Sequence, residues 1–294
     1  MNGTPLYQGY DRAQLDAQYD NRSRVPEHVD IHAALQAQGD TVLADFDARL
    51  DVSYGPSAEQ TLDIYLPNNP IAGASVPVNV FLHGGYWYSR HKNDFRFLAR
   101  GLVPSGAALV VVNYALIPSV DLDEVVRQCR AAVAWTFQNA ATFGGDPARV
   151  FVSGHSAGGH LTAMTMATDW PTFGNGLPAD VVKGGCALSG IYDLTPIPLG
   201  YMQETLQFTA DQVMRNSPMT LAPATKAPLI IGIGGAESEE FLRQSQAFAE
   251  HWGAPGGIEC WMMTLDGINH FTILAEFADP KSILTQAVLK QMRL

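Results

Sequence analysis

Apolar residues along this chain gather in short blocks, and between the blocks lie longer stretches in which apolar positions recur every three or four residues. Val76–Leu82, Ala108–Tyr114, Arg149–Ser153, Val181–Ser189, Leu229–Ile233 and Ile258–Leu265 are rich in β-branched and aliphatic residues. Runs such as Leu109-Val110-Val111-Val112 have the continuous apolar character of strands covered on both faces. Asp94–Leu102, Leu122–Thr142, Ala157–Ala167, Glu239–Trp252 and Ile283–Met292 carry helical spacing. Strands alternating with helices in this way predict right-handed crossovers and a mostly parallel central sheet with helices on both faces. Arg49–Tyr54 and Leu62–Leu66, joined by a turn at Gly55-Pro56, read as an antiparallel opening pair.

Two stretches break the rhythm. Residues 1–45 are polar, with helical patches at Asp11–Tyr19 and Val29–Ala37, and read as an N-terminal extension packed on the main domain, residues 46–294. Residues 171–221 are rich in Pro, Gly and Asn with modest helical patches such as Thr205–Met214. They are expected to leave the carboxyl end of the sheet as a cap-like insertion covering the site, since ligands of such sheets bind at that end.

Charge and composition narrow the partners. The 294 residues carry a formal net charge of −11, which disfavours nucleic acid and anionic membrane as partners. No apolar run approaches the ~20 residues of a membrane span. Met1-Asn2-Gly3-Thr4-Pro5 lacks the basic and apolar segments of a signal peptide, so a cytoplasmic protein is expected. Cys129, Cys186 and Cys260 show no metal spacing and read as free thiols. No metal or other cofactor is expected. The expected partner is a small molecule, and a homodimer is compatible with these features.

The chemistry centres on Gly154-His155-Ser156-Ala157-Gly158. It directly follows Val150-Phe151-Val152 and precedes the helical Gly159–Met164. Strand, tight turn and helix around G-x-S-x-G predict a nucleophile elbow, with Ser156 exposed above the sheet. A serine hydroxyl needs a base beside it. His270 follows the final predicted strand, and Glu237 follows Leu229–Ile233. The chain order Ser156, Glu237, His270 is that of an α/β-hydrolase, with the imidazole taking the serine proton and the carboxylate orienting it. Asp193 and Asp266 are the competing acids, and Glu239 and Glu240 read as first-turn carboxylates of a helix. His83-Gly84-Gly85-Tyr86-Trp87 follows another strand. Backbone N–H groups of Gly85 and Tyr86, with Gly84 as a third, can join that of Ala157 as an oxyanion hole. His83 reads as an anchor of this turn, and His155 and His160 as packing or orienting residues.

These segments resemble the kynurenine formamidases (arylformamidases), an esterase/lipase branch of the α/β-hydrolases related to hormone-sensitive lipase. His83-Gly84-Gly85-Tyr86-Trp87 is similar to their H-G-G-x-W signature, and Gly154–Leu161 to their elbow. Ser189–Leu194, Asn216-Ser217-Pro218, Glu237–Ser245 and Asn269-His270-Phe271 also resemble that family, over roughly residues 50–294. Glu237 stands where the family commonly has aspartate; glutamate fills the same role with one more methylene. The resemblance implies a cofactor-independent serine hydrolase acting on small carboxylic esters or N-formyl aryl amides. A formyl group needs little acyl pocket but an aromatic leaving group needs a wide one, so Tyr86, Trp87, Tyr192 and Phe271 are expected to line it. The rival readings are a promiscuous short-acyl carboxylesterase without a formamidase role and a non-catalytic hydrolase fold serving as a receptor.

Overall fold

Eight strands form one sheet in the order β1-β2-β4-β3-β5-β6-β7-β8: Asp47–Ser53, Thr61–Leu66, Val76–Leu82, Ala108–Val112, Gly145–His155, Gly185–Leu188, Leu229–Gly234 and Cys260–Leu265 are β1 to β8 in chain order. This computed structural model describes residues 4–68 and 75–294. Met1–Gly3, on which part of the signal-peptide reading rests, lie outside the described residues. β1 and β2 pair antiparallel, β2 pairs antiparallel with β4, and β3 to β8 run parallel. The expected opening pair is therefore present, with a bulge between Arg49 and Val52.

Alternation along the central strands builds a core on each face. In β4, Ala108, Val110 and Val112 join one buried cluster while Leu109 and Val111 join the other. In β3, Val78, Val80 and Leu82 face the first side and Phe81 the second. Successive Cβ atoms of a strand point to opposite faces, so an unbroken apolar run is what a doubly covered strand requires. The long helices are His28–Asp40, Leu122–Asn139, Ala157–Met166, Glu239–Trp252 and Ile283–Gln291. Among the described residues no helix is long and apolar enough to cross a membrane.

Three expectations change. The helix expected over Asp94–Leu102 is a 3₁₀ stretch, Lys92–Leu98, followed by one α turn, Ala99–Leu102. Lys92, Phe95 and Leu98 are buried there at three-residue spacing, which a helix of three residues per turn stacks on one face. Ile273–Ala278 is a helix that the periodicity did not reveal; Asn269 Oδ1 accepts from the N–H groups of Phe271 and Thr272 just ahead of it. The insertion covers the site only in part. Helices Arg12–Tyr19, Asn21–Arg24 and His28–Asp40 of the N-terminal extension lie over the same end of the sheet.

The loop that leaves β3 is tied down at its far end by a buried charge cluster. Lys92 Nζ, almost wholly buried, donates to Asp63 Oδ1 on β2 at 2.6 Å and to Asp51 Oδ1 at 2.7 Å. Asp63, itself fully buried, also accepts from the Asp51 N–H and the Tyr65 hydroxyl. Lys92→Met removes the hydrogen-bonded cation and leaves the buried Asp63 carboxylate with only Arg96 Nε, 3.9 Å away, as a counter-ion. A loss of about 3–5 kcal/mol in unfolding free energy is expected from urea denaturation. A loss below about 1 kcal/mol would show that the cluster is not what fixes the loop to the sheet.

Candidate active site

β5 ends at His155, and the chain reverses at Ser156 into helix Ala157–Met166. Ser156 has φ 58 and ψ −119, a left-handed conformation that costs a non-glycine residue about 1–3 kcal/mol. Its N–H donates to the Leu188 carbonyl at 2.8 Å, which holds the turn against β6. The glycines answer to close approach. A Cβ on Gly158 would lie 1.9 Å from the Leu82 carbonyl oxygen, and one on Gly84 would lie 2.6 Å from that of His155. The elbow and the end of β3 therefore approach at backbone distance.

Glu237 and His270 come from the ends of neighbouring strands. His270 Nδ1 donates to Glu237 Oε2 at 2.7 Å, and Glu237 Oε1 accepts from Ser189 Oγ at 2.5 Å and the Gly234 N–H at 3.0 Å. The buried carboxylate thus has donors on both oxygens, and the Nδ1 proton is committed to it, leaving Nε2 as the free imidazole nitrogen. Phe241 and Phe271 flank the imidazole edge to face. His155 Nε2 donates to the His270 carbonyl at 2.7 Å, and burial holds the His155 pKa well below its ordinary value. Ser156 and His270 line one cavity. The serine hydroxyl has no hydrogen-bond partner among the described residues; contacts of this kind commonly tighten when substrate binds.

The competing acids are engaged elsewhere. Asp193 accepts from the Tyr7 hydroxyl and the Thr195 N–H. Glu239 accepts from the Tyr10 hydroxyl, and Glu240 from Tyr19 and Arg243. Asp266 is exposed. Asp193, Glu239 and Glu240 instead fasten the N-terminal extension, a task the sequence did not suggest for them.

The turn after β3 carries a run of left-handed residues: Gly85 at φ 115, Tyr86 at φ 51 and Trp87 at φ 60. The His83 ring stacks between Phe95 and Tyr114, and Tyr114 donates its hydroxyl to the His83 carbonyl at 2.6 Å. His83 thus anchors the turn, and burial lowers its pKa to about 4. The N–H groups of Gly84, Gly85 and Tyr86 meet no acceptor among the described residues. Ala157, as the first residue of its helix, has no intrahelical acceptor either. These four can donate to a developing oxyanion.

The cavity beside Ser156 has a volume of about 180 Å³. Phe271 and Tyr86 line it, but Trp87 and Tyr192 do not. Trp87 is fully buried beneath the turn, where its Nε1 donates to His160 Nδ1 at 3.2 Å. Tyr192 stacks on Phe248 at 4.1 Å under helix Glu239–Trp252. Adjacency in sequence places both rings at the site, yet the left-handed turn directs Trp87 inward and Tyr192 leaves its strand end into the core. The wall is completed instead by residues the sequence did not single out: Asn21 and His32 from the extension, Tyr88 and Arg90 from the oxyanion loop, and Tyr201 from the insertion. Tyr86 joins the two layers, donating its hydroxyl to the Tyr19 carbonyl at 2.6 Å and accepting from Asn21 Nδ2 at 3.3 Å. Burial raises the Tyr86 pKa far above its ordinary value, so it remains a donor at neutral pH. Among the described residues no cluster of three or more His, Cys, Asp or Glu could hold a metal ion.

Comparison with known proteins agrees with this architecture. The sequence model of the BD-FAE family matches residues 62–252. A kynurenine formamidase of Salmo salar is 33% identical over 248 residues, 83% of this chain and 81% of that protein. A solved structure from Silicibacter sp. TM1040 superposes with a TM-score of 0.80 at 28% identity, covering 93% of this chain and 98% of that one. A solved structure of an inhibited esterase B of Lactobacillus rhamnosis superposes with a TM-score of 0.73 at 20% identity, over 92% of this chain and 96% of that one.

The carboxylate geometry gives a direct test. Glu237→Gln keeps the size but removes the charge facing His270 Nδ1, and kcat on any ester substrate should fall about 10²- to 10⁴-fold. Asp193→Asn should change kcat far less. The opposite ranking in steady-state kinetics would move the orienting acid to Asp193.

Proposed function

From a chain that belongs to the BD-FAE family of α/β-hydrolases, we infer a serine hydrolase that acts on esters or formamides. The observation that carries the reading is the buried Glu237–His270 pair lining up with Ser156 at one cavity. In the proposed mechanism His270 Nε2 takes the Ser156 proton as Oγ attacks the carbonyl carbon. Glu237 stabilises the imidazolium so formed. N–H groups of Gly84, Gly85, Tyr86 and Ala157 receive the oxyanion. His270 then gives its proton to the leaving oxygen or nitrogen, and water releases the acyl group by the same steps in reverse order of roles.

The finer reading is a short-acyl substrate with an aromatic leaving group, including N-formyl aryl amides. A small cavity walled by Tyr86, Tyr88, Phe95, Phe271 and Tyr201 supports it. So does the similarity to proteins named kynurenine formamidase. A promiscuous short-acyl carboxylesterase shares the same machinery, and relative rates on the two bond types separate the readings. A non-catalytic receptor has no need of the Glu237–His270 pair. We place the protein in the cytoplasm, a reading supported by three cysteines that are all unpaired.

A panel of aryl formamides and aryl esters tests this. Formyl and acetyl groups should be cleaved at least about tenfold faster than acyl chains of about eight carbons, an expectation supported by a cavity of only about 180 Å³. Ser156→Ala should lower kcat by roughly 10⁴-fold while circular dichroism shows an unchanged fold. A flat profile across acyl length would remove the short-acyl reading, and near-normal turnover by Ser156→Ala would remove the serine mechanism.

A further inference from the structure

Ser189 is fully buried and does not line the cavity that Ser156 and His270 share. It stands directly after β6, where Leu188 pairs with His155 of β5 on one side and with Gly232 of β7 on the other. The Leu188 carbonyl accepts the Ser156 N–H at 2.8 Å. The next residue, Ser189, donates its hydroxyl to Glu237 Oε1 at 2.5 Å. Two consecutive residues therefore hold both the turn at Ser156 and the acid. There is no slack between them and the helix after Ser156. A Cβ on Gly159 would lie 2.8 Å from the Leu188 carbonyl oxygen and 2.9 Å from the Gly190 Cα.

A glutamate at this place needs such a hold. The torsion that turns its carboxylate is broad and soft, so the group does not choose an orientation by itself. Oε2 faces His270 Nδ1, and the contacts on Oε1 keep it there. One of these is the Gly234 N–H at 3.0 Å, which belongs to the acid's own turn, since the Glu237 N–H donates back to the Gly234 carbonyl at 3.2 Å. That donor moves with the turn. Ser189 comes from a neighbouring strand end and ties the carboxylate to the same backbone that holds Ser156. Its own backbone is left-handed, at φ 48, with its N–H donating to the Gly232 carbonyl at 2.7 Å. Left-handed backbone at a non-glycine residue persists only where the surroundings over-determine it, and such residues cluster at functional sites.

We propose that Ser189 is a positioning residue of this site. Its hydroxyl fixes the Glu237 carboxylate against the end of β6, so that Oε2 stays on His270 Nδ1 while Leu188 holds the turn at Ser156 in register with both. A hydrogen bond to an ionised group is among the stronger ones a side chain makes, and this one is shielded from water. The proposal rests on the serine-hydrolase reading and adds to it a residue that acts through Glu237 rather than on the substrate.

The test is a double-mutant cycle with phenyl acetate as substrate. Ser189→Ala should lower kcat by about 10- to 100-fold and leave KM within about twofold, because the hydroxyl touches the acid and not the cavity. Ser189→Gly should lower kcat alike, although glycine relieves the left-handed backbone, which guards against a fold defect in Ser189→Ala. In a Glu237→Gln background the same Ser189→Ala change should cost less than about twofold, since the charge it orients is gone. A merely structural role would cost the same in both backgrounds. Proton NMR reads the arrangement without turnover. The His270 Nδ1 proton, identified by its loss in His270→Gln, should shift or broaden in Ser189→Ala and stay in place in Arg215→Gln, which alters an exposed ion pair. Wild-type kcat in Ser189→Ala with an unmoved Nδ1 signal would overturn the proposal, and so would an equal cost in both backgrounds. A wild-type protein that cleaves no ester and takes no fluorophosphonate label would count against the hydrolase reading. An Nδ1 signal that still moved in Ser189→Ala would then uphold the hold of Ser189 on Glu237.

Discussion

Backbone meets backbone where the turn at Ser156 crosses the end of β3, and the geometry of the candidate site hangs on that crossing. No side chain fits at Gly158 or Gly84 without striking a carbonyl oxygen of the other segment. This closeness puts the N–H groups of the 84–86 turn beside Ser156, at the cost of left-handed backbone at Ser156, Tyr86 and Trp87. Three supports hold the strained turn. Leu188 accepts from the Ser156 N–H, Tyr114 donates to the His83 carbonyl, and Lys92 clamps the far end of the loop to Asp63. Strain at a reactive group persists only where the surroundings over-determine it, and here each end of the turn is tied to a different strand.

The N-terminal extension is part of the site. Tyr19 meets Glu240 and Gln244 on helix Glu239–Trp252 through its hydroxyl, and its carbonyl receives the Tyr86 hydroxyl. One residue thus spans from the helix that follows Glu237 to the 84–86 turn. Asn21, Arg22 and His32 then line the same cavity as Ser156. The carboxylates that bind the extension, Asp193, Glu239 and Glu240, are those that compete with Glu237 for the catalytic role on sequence position alone. Hydrogen-bond partners separate the two jobs: Glu237 faces an imidazole, and the others face tyrosine hydroxyls and an arginine.

Much of the fold was legible because the signals were local. The apolar runs at Val76–Leu82 and Leu229–Ile233 report doubly buried strands, and the glycines at 84, 85, 154 and 158 report a close approach. Strand-end positions were enough to single out Glu237 and His270, which the structure brings within hydrogen-bond distance. Substrate-facing residues were not legible, because they depend on direction and on distant pairing. Trp87 follows the oxyanion glycines but turns into the core, since a left-handed backbone reverses the sense in which neighbouring side chains point. Tyr192 likewise packs on Phe248. Asn21 and Arg90 reach one cavity from segments far apart in sequence, brought together by the Tyr19–Tyr86 contact, for which no periodicity exists. Lys92, buried at the start of the 3₁₀ stretch, likewise answers to Asp63 and Asp51 on distant strands, a pairing that no local spacing reveals.

The central claim is that Ser156 is a nucleophile activated by the Glu237–His270 pair. Intact-mass spectrometry after exposure to a fluorophosphonate measures this most directly, because the reagent reports nucleophilicity without assuming any substrate. One adduct per chain, mapped by peptide sequencing to Ser156 and formed much more slowly when Glu237 is replaced by Gln, is the result this account predicts. No adduct, or an adduct at another residue, would contradict it.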